Sequence, residues 1–270
     1  MTSKNSQLCS NEITSRENPI IKYAASLHTH KAREREGKFL IEGIKLVEEA
    51  ISKPGLVDSV LINRESIERV EGISQFRGQI FVISPNLNKL ISDTQTPQGV
   101  WAICRKPDWG DLSILMQFEV LLLLAGIQDP GNLGTMLRTA RAAGVGAVIL
   151  TAGTVDVYNP KVVRAAAGTI LSLPVVTGAT VATVKTVKTW GFKLLACDAR
   201  GDSNLYSESL LNKTIMMIGS EGSGIPQEFL NIADRRIFIP LQAEVESLNA
   251  GVACGIVLYE ALRQRMQNMH

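Results

Sequence analysis

Cysteine is scarce in this chain of 270 residues, and its placement argues against two kinds of site. The cysteines lie far apart and form no Cys-x-x-Cys pair: Cys9, Cys104, Cys197 and Cys254. Zinc sites depend on closely spaced cysteines, and a disulfide framework is not expected in a chain of this size. We therefore expect reduced thiols, no bound metal and a cytoplasmic location.

Long apolar runs are also missing. The longest covers residues 120–127, far short of the roughly 20 apolar residues that a membrane-spanning helix needs. Residues 1–12 are polar and lack the apolar stretch of a signal peptide. The sequence therefore predicts a soluble protein with no membrane partner.

No large excess of charge of either sign is present. The formal net charge is +2, with 20% charged and 45% hydrophobic residues, which is ordinary for a globular protein with a sizeable core. Because the chain is nearly neutral, a polyanionic partner would have to be bound by local basic patches rather than by a global field.

What the chain does contain is two successive alternations of helix and strand patterns. A polar tail at 1–14, which we expect to be flexible, precedes a predicted helix at 18–30 and a charged stretch at 28–38. Alternating segments follow, with predicted strands at 39–41, 59–62, 79–83 and 100–104 and helices at 44–51, 65–73 and 86–92. This alternation predicts a small α/β domain over residues 15–105.

A second α/β domain is predicted at 118–270, after a linker at 106–117 in which Pro107 and Gly110 interrupt both periodicities. We predict strands at 119–125, 147–150, 192–197, 214–218 and 236–239, and helices at 133–143, 160–167, 181–189, 227–231 and 249–266. Residues 120–124 are apolar throughout, which is typical of a parallel strand covered on both faces.

Three polar segments, of which the first two contain glycine, lie beyond predicted strands of this second domain, at 128–138, 218–226 and 239–249. In open α/β sheets, ligands bind outside the carboxyl ends of the strands. Three such segments in one domain therefore predict a single composite site.

The first segment, Gln-Asp-Pro-Gly-Asn-Leu-Gly-Thr-Met-Leu-Arg, has two interpretations. Asn132 could cap a helix and Arg138 could be an ordinary solvated residue. Alternatively, Arg138 could clamp a phosphate with its planar fork. The segment is neither a P-loop nor a dinucleotide fingerprint, so it does not support an enzyme that depends on a nucleoside triphosphate or a dinucleotide.

The other two segments are equally ambiguous when each is taken alone. In Gly-Ser-Glu-Gly-Ser-Gly, Glu221 could be solvated in a tight turn, or it could pair with Arg138 in a loop that a ligand approaches closely. In the third segment, Ser247 could be a helix cap, whereas Asn249 has no such simple explanation from helix propensity.

Taken together and in this order, the segments resemble the motifs of the SpoU family of RNA ribose 2′-O-methyltransferases, within the SPOUT superfamily. Asn132, Arg138 and Gly144 match its first motif, and Gly219, Glu221 and Gly224 match its second. The third is matched by Ile239, Pro240, Ser247, Leu248 and Asn249. The first domain is similar, less specifically, to a substrate-binding domain related to ribosomal proteins.

The resemblance implies S-adenosylmethionine as cofactor, a deep trefoil knot and a homodimer formed by the second domain. Gly219, Ile239 and Leu248 would hold the cofactor. Among the catalytic residues, Asn132 and Glu221 would orient Arg138, and Ser247 and Asn249 would shape the acceptor pocket. Since arginine stays protonated in proteins, we expect Arg138 to position the substrate and stabilise charge.

We expect the basic stretch to contact the RNA substrate through Lys31, Arg33, Arg35 and Lys38. Because acidic residues are interleaved with them, the stretch could equally be an ordinary solvent-exposed face that binds no RNA. Phosphate contacts carry little sequence information. Ribosomal RNA is the first choice of substrate, by analogy with the appended domain. A transfer RNA methyltransferase and a non-catalytic RNA-binding factor on the same fold are the alternatives.

Overall fold

The computed structural model describes residues 12–244 and 247–268, and these form two compact units. The first unit runs up to Asp108 and also includes Tyr158–Leu171. The second comprises Trp109–Val157 and the chain from Ser172 onward. The domain boundaries expected from the sequence stay a prediction, and the structure adds that a segment from the second half of the chain groups with the first unit.

The first unit contains a four-stranded sheet with the order β1-β4-β2-β3. Only the β2–β3 pair is parallel. The strands are β1 (Lys38–Glu42), β2 (Val57–Ile62), β3 (Gln79–Val82) and β4 (Val100–Arg105). The helices are α1 (Pro19–Ser26), α2 (His30–Glu36), α3 (Ile44–Ile51), α4 (Asn88–Ile91) and α6 (Pro160–Ala165).

Helix prediction in the first unit was wrong in two places. The expected helix at 18–30 ends at Ser26, and α2 starts afresh because the Thr29 side chain accepts a hydrogen bond from the Ala32 N–H. The expected helix at 65–73 is a 3-10 helix at Arg64–Arg69. Local capping and turn geometry decided both cases.

The second unit contains a seven-stranded, wholly parallel sheet with the order β7-β6-β5-β10-β8-β11-β9. Its strands are β5 (Val120–Ala125), β6 (Ala147–Thr151), β7 (Val175–Ala179), β8 (Lys193–Cys197), β9 (Ser203–Asn204), β10 (Thr214–Gly219) and β11 (Arg235–Phe238). Its helices are α5 (Pro130–Ala142), α7 (Val181–Lys188), α8 (Gln227–Leu230) and α9 (Ala250–Gln267). The predicted parallel sheet is confirmed.

Burial explains why the central strands could be read from the sequence. Every residue of β5, β6 and β10 is buried, as expected for strands covered on both faces. The two edge strands, β7 and β9, were not predicted, because β7 is half exposed and contains Gly178, and β9 has only two residues.

The strand order positions the site. β10 lies between β5 and β8, and β11 lies beside β8. Since all these strands are parallel, their carboxyl ends share one edge of the sheet. The loops that follow β5, β8, β10 and β11 therefore emerge side by side, and α9 packs against α5 and β10 next to them.

Candidate functional site

A cavity of about 260 Å³ lies at this edge of the sheet. Its walls come from the ends of β8 and β10, from the loops that follow β8, β10 and β11, and from the first turns of α9. Gly219, Ile239 and Leu248, the three residues expected to hold a cofactor, all line it. The structure thus brings the second and third sequence segments to one cavity.

Gly219 lies where two parts of the β10 loop meet. A Cβ atom at this position would lie 2.2 Å from the carbonyl carbon of Gly224. The close approach is held by a pair of backbone hydrogen bonds between Ser220 and Gly224, of 3.2 and 3.0 Å. Only glycine fits here, because the backbone of Gly224 occupies the space that a side chain would need.

A polar cluster at the rim joins all three segments. Glu221 Oε1 accepts hydrogen bonds from Asn132 Nδ2 (2.8 Å), from the Asn249 side-chain amide and from the Ala250 N–H (3.3 Å). Asn249 Nδ2 also donates to Asn132 Oδ1 at 3.3 Å. The carboxylate is thereby satisfied by donors at the starts of α5 and α9.

The helix caps differ from the simple alternatives that the sequence left open. Asp129, not Asn132, caps α5, since its side chain accepts from the Asn132 N–H at 2.7 Å. Asn249, not Ser247, caps α9, accepting from the N–H groups of Gly251 and Val252. Asn132 therefore has its side chain available for Glu221.

Arg138 is exposed on α5, and the expected Glu221–Arg138 pair is not formed. Within residues 12–244 and 247–268 its guanidinium makes no hydrogen bond or ion pair. Six residues along a helix place two side chains about 120° apart around its axis, so Arg138 points away from the direction of Asn132. Any influence of the cluster on Arg138 must therefore pass through the position of α5 rather than through direct contact.

Two residues of the cavity wall were missed by sequence reasoning. Asp198 and Arg200 follow β8 and line the cavity. Burial acts to raise the pKa of the Asp198 carboxyl, but hydrogen bonds from the Arg200 N–H and the Arg236 guanidinium outweigh it, so that the pKa is lowered. The signal in the sequence was a polar turn after a predicted buried strand, as at the other segments.

The cysteines near the cavity are not reactive groups. Burial raises the pKa of the Cys197 thiol to about 11 and that of the Cys254 thiol to about 12. Both stay protonated near neutral pH, and a thiol must lose its proton to act as a nucleophile or metal ligand. In the part of the chain that the structure describes, no cluster of three metal-ligating side chains occurs.

The basic stretch needs one correction. Arg33 is only 2% exposed, and its Nη1 donates 2.8 Å hydrogen bonds to the carbonyl oxygens of Leu27 and His28. It ties α2 to the preceding turn, so it is not available to RNA.

The other basic residues of this stretch differ in exposure. Lys38 is half-buried and paired with Asp58 at 3.0 Å. Lys31 and Arg35 are exposed, and Arg35 pairs with Glu36.

Among the described residues, no helix combines the length and apolarity needed to cross a bilayer.

Comparison with known proteins assigns this chain to a family. The SpoU rRNA Methylase family matches residues 119–259, and the MRM3-like substrate binding domain matches residues 18–102. The chain is 35% identical to the 23S rRNA (guanosine(2553)-2′-O)-methyltransferase RlmP of Bacillus subtilis, over 92% of this chain and 98% of that protein.

Solved structures of methyltransferases are also similar to this chain. An AdoMet-bound rRNA methyltransferase from Sinorhizobium meliloti superposes with a TM-score of 0.84 at 28% identity, covering 94% of this chain and 97% of that one. The SpoU methyltransferase AviRb from Streptomyces viridochromogenes, in complex with AdoMet, gives a TM-score of 0.83 at 26% identity, covering 93% and 99%. The chain belongs to the SpoU rRNA methylase family.

Proposed function

We propose that this protein transfers a methyl group from S-adenosylmethionine to a ribose 2′-hydroxyl of ribosomal RNA. The observation that carries the proposal is the cavity at the carboxyl edge of the sheet, lined by Gly219, Ile239 and Leu248 and bordered by the Glu221 cluster. The proteins with similar sequences and structures are named as rRNA methyltransferases.

The lining of the cavity fits the cofactor in its chemistry. About 260 Å³ of space lies between apolar side chains, among them Ile218, Ile225 and Leu241, and the backbone at Gly219. Such walls suit an adenosine ring, while the backbone groups of the loops are free to hydrogen-bond it. When bound, S-adenosylmethionine supplies an electrophilic methyl group on its sulfonium.

The acceptor is a poor nucleophile, so the protein must position it. The guanidinium of Arg138 is exposed and makes no bond to the described residues, so it is suited to hold a substrate phosphate and to stabilise developing charge. We propose that this phosphate accepts the proton that the 2′-hydroxyl loses when it takes the methyl group. Ser247, exposed at the cavity rim, and Asn249 shape the acceptor pocket.

The Glu221 cluster has a positioning role in this proposal. By tying the first turns of α5 and α9 to the β10 loop, it fixes the helix that carries Arg138. Lys31 and Arg35 of the first unit contribute to RNA affinity as sequence-independent phosphate contacts.

The protein also forms a homodimer through its second unit. α9 presents a stripe of exposed apolar side chains at seven-residue spacing, Val252, Tyr259 and Met266, with the half-buried Ile256 between them. An apolar stripe of this kind on a helix is typical of an interface. A second copy of this chain is its proposed partner.

The family resemblance further implies a trefoil knot. In support, the segment 239–249 leads from β11, which is separated from β10 by β8, back to α9, which packs on β10 and α5. Knots are rare, and here the knot would bring the three segments together. We also place the protein in the cytoplasm.

The function can be tested by mapping ribose methylation across total RNA in cells with and without this protein. We expect a ribosomal nucleotide to lose its 2′-O-methyl group, and purified protein with S-adenosylmethionine to restore it. Loss of a mark in transfer RNA alone would replace the proposed substrate. An unchanged methylation map, with no transfer by the purified protein, would instead favour a non-catalytic RNA-binding factor.

A further inference from the structure

Arg200 is held at the wall of the cavity by a well-defined turn. The Gly201 N–H donates to the Asp198 carbonyl oxygen at 2.8 Å, and the Arg200 N–H donates to Asp198 Oδ1 at 3.0 Å. A Cβ atom on Gly201 would lie 2.7 Å from the Arg236 carbonyl oxygen, so the turn rests directly against β11. The backbone of Arg200 is therefore fixed beside the cavity.

The charged residues of the cavity wall have different partners. Among the lining residues that the structure describes, only Asp198, Arg200 and Glu221 carry charge. Asp198 is paired with Arg236, and Glu221 accepts from Asn132 and Asn249. Over residues 12–244 and 247–268, the Arg200 guanidinium has neither a hydrogen bond nor an ion pair, and its side chain is exposed.

The charges of the cofactor complement this set. S-adenosylmethionine carries one anionic group, the carboxylate of its amino-acid end, together with an ammonium and a sulfonium. A guanidinium attracts the carboxylate and can bind it through two parallel hydrogen bonds, whereas it repels both cations.

We propose that Arg200 binds the carboxylate of S-adenosylmethionine and so makes the site specific for a cofactor with an intact amino-acid end. This inference rests on the proposed function, because it takes the cavity to be the cofactor site. It adds a charged side-chain contact to the contacts expected from Gly219, Ile239 and Leu248.

The test compares two methyl donors that differ in the carboxylate alone, S-adenosylmethionine and decarboxylated S-adenosylmethionine. Their dissociation constants are measured by calorimetry on the full chain and on two variants, Arg200→Ala and Arg235→Ala. Arg235 is the matched control, since it is an exposed arginine on the neighbouring strand β11 that does not line the cavity.

For Arg200→Ala, we expect the dissociation constant of S-adenosylmethionine to rise about tenfold, while that of the decarboxylated donor stays within about twofold of the wild-type value. Arg235→Ala should change neither. Added salt should reduce the preference of the wild-type protein for S-adenosylmethionine over the decarboxylated donor, because a partly exposed ion pair is screened, and Arg200→Lys should keep part of that preference.

Equal weakening of both donors by Arg200→Ala would overturn the proposal, because Arg200 would then support the cavity without contacting the carboxylate. Unchanged binding of both donors with weaker RNA binding would also overturn it and would assign Arg200 to an RNA phosphate. Failure of the wild-type chain to bind S-adenosylmethionine at all is a separate result, which would remove the proposed cofactor site and this inference together.

Discussion

Individual side chains at this site divide by whether they already have a partner within the chain. Glu221, Asn132 and Asn249 satisfy one another, and Asp198 is held by Arg236. Arg138 and Arg200 are exposed and make no bond to the described residues. Groups of the first kind set geometry, and those of the second are available to substrate or cofactor.

Replacing Arg138 tests the second group directly. Arg138→Ala should slow methyl transfer by orders of magnitude while cofactor affinity stays nearly unchanged, because the guanidinium is proposed to act on the substrate and the developing charge. Arg138→Lys should restore little activity, since an ammonium lacks the planar fork. Single-turnover transfer to an acceptor RNA measures both.

The matched control for Arg138 is Arg141→Ala, an exposed arginine on the same helix. It should retain near-normal transfer and differ in stability by no more than about 0.5 kcal/mol. If Arg138→Ala transferred methyl groups as fast as Arg141→Ala, Arg138 would have no part in the mechanism.

The Asp198–Arg236 ion pair should be visible in the pH dependence of stability. The pKa of Asp198 is lower in the folded protein than its ordinary value of 3.8, so the charged form stabilises the fold above that value and the contribution is lost as the pH falls through the folded pKa. Asp198→Asn should therefore lower the melting temperature at pH 5–7, and the deficit should shrink below about pH 4.

Thermal unfolding of the two forms across this pH range is the measurement. Asp202→Asn, which changes an exposed carboxylate in the same loop, should give a much smaller deficit. A deficit for Asp198→Asn that stays constant down to pH 3 would show that the charge of Asp198 is not what stabilises the loop.

At the scale of elements, the loops after the strands are as closely specified as the strands themselves. Two of the three glycines at the end of β10 and in the loop that follows it have opposite requirements. The backbone at Gly219 is pressed against Gly224, whereas a Cβ atom on Gly222 would meet no atom within 4 Å. One glycine is required by the packing of backbone on backbone, and the other has space for a side chain.

These two glycines provide a matched pair of variants. Gly219→Ala should destabilise the protein by about 1–3 kcal/mol through overpacking. It should also abolish measurable cofactor binding, because the loop must open to make room for the alanine side chain. Gly222→Ala should fold normally and bind the cofactor. Calorimetric titration with S-adenosylmethionine separates the two, and normal binding by Gly219→Ala would mean that the loop backbone does not form the cofactor site.

At the scale of the whole molecule, the exposed stripe on α9 bears on assembly. Tyr259 and Tyr206 both belong to the second unit, with 52% and 55% of their surfaces exposed. Only Tyr259 lies on the apolar stripe. A charge at Tyr259 would have to be buried in the proposed interface, which is costly for an unpaired group.

Light scattering on the full chain at concentrations on the order of 10 micromolar, where an interface with a dissociation constant of about 1 micromolar or tighter is largely formed, is the measurement. We expect the wild-type protein and Tyr206→Asp to be dimers and Tyr259→Asp to be a monomer. A wild-type monomer, or a dimer that tolerates Tyr259→Asp, would count against this face as the interface.

Much of this protein follows from local pattern in its sequence. Apolar runs such as residues 120–124 identified the central strands, and two of the polar segments after them identified loops that line the cavity. The family resemblance, and not local pattern, singled out Gly219, Ile239 and Leu248 within those loops. Periodicity and turn chemistry act over a few residues, so they can be read without knowing the fold.

Only the tertiary structure decided which side chains meet. Glu221 bonds Asn132 across 89 positions of sequence, and Arg33 is buried while its neighbours Lys31 and Arg35 are exposed. Such outcomes depend on the strand order, which inserts β10 between β5 and β8, and on the rotation of each helix about its axis. Neither is encoded in the spacing of residues along one segment, because both are set by how distant segments pack together.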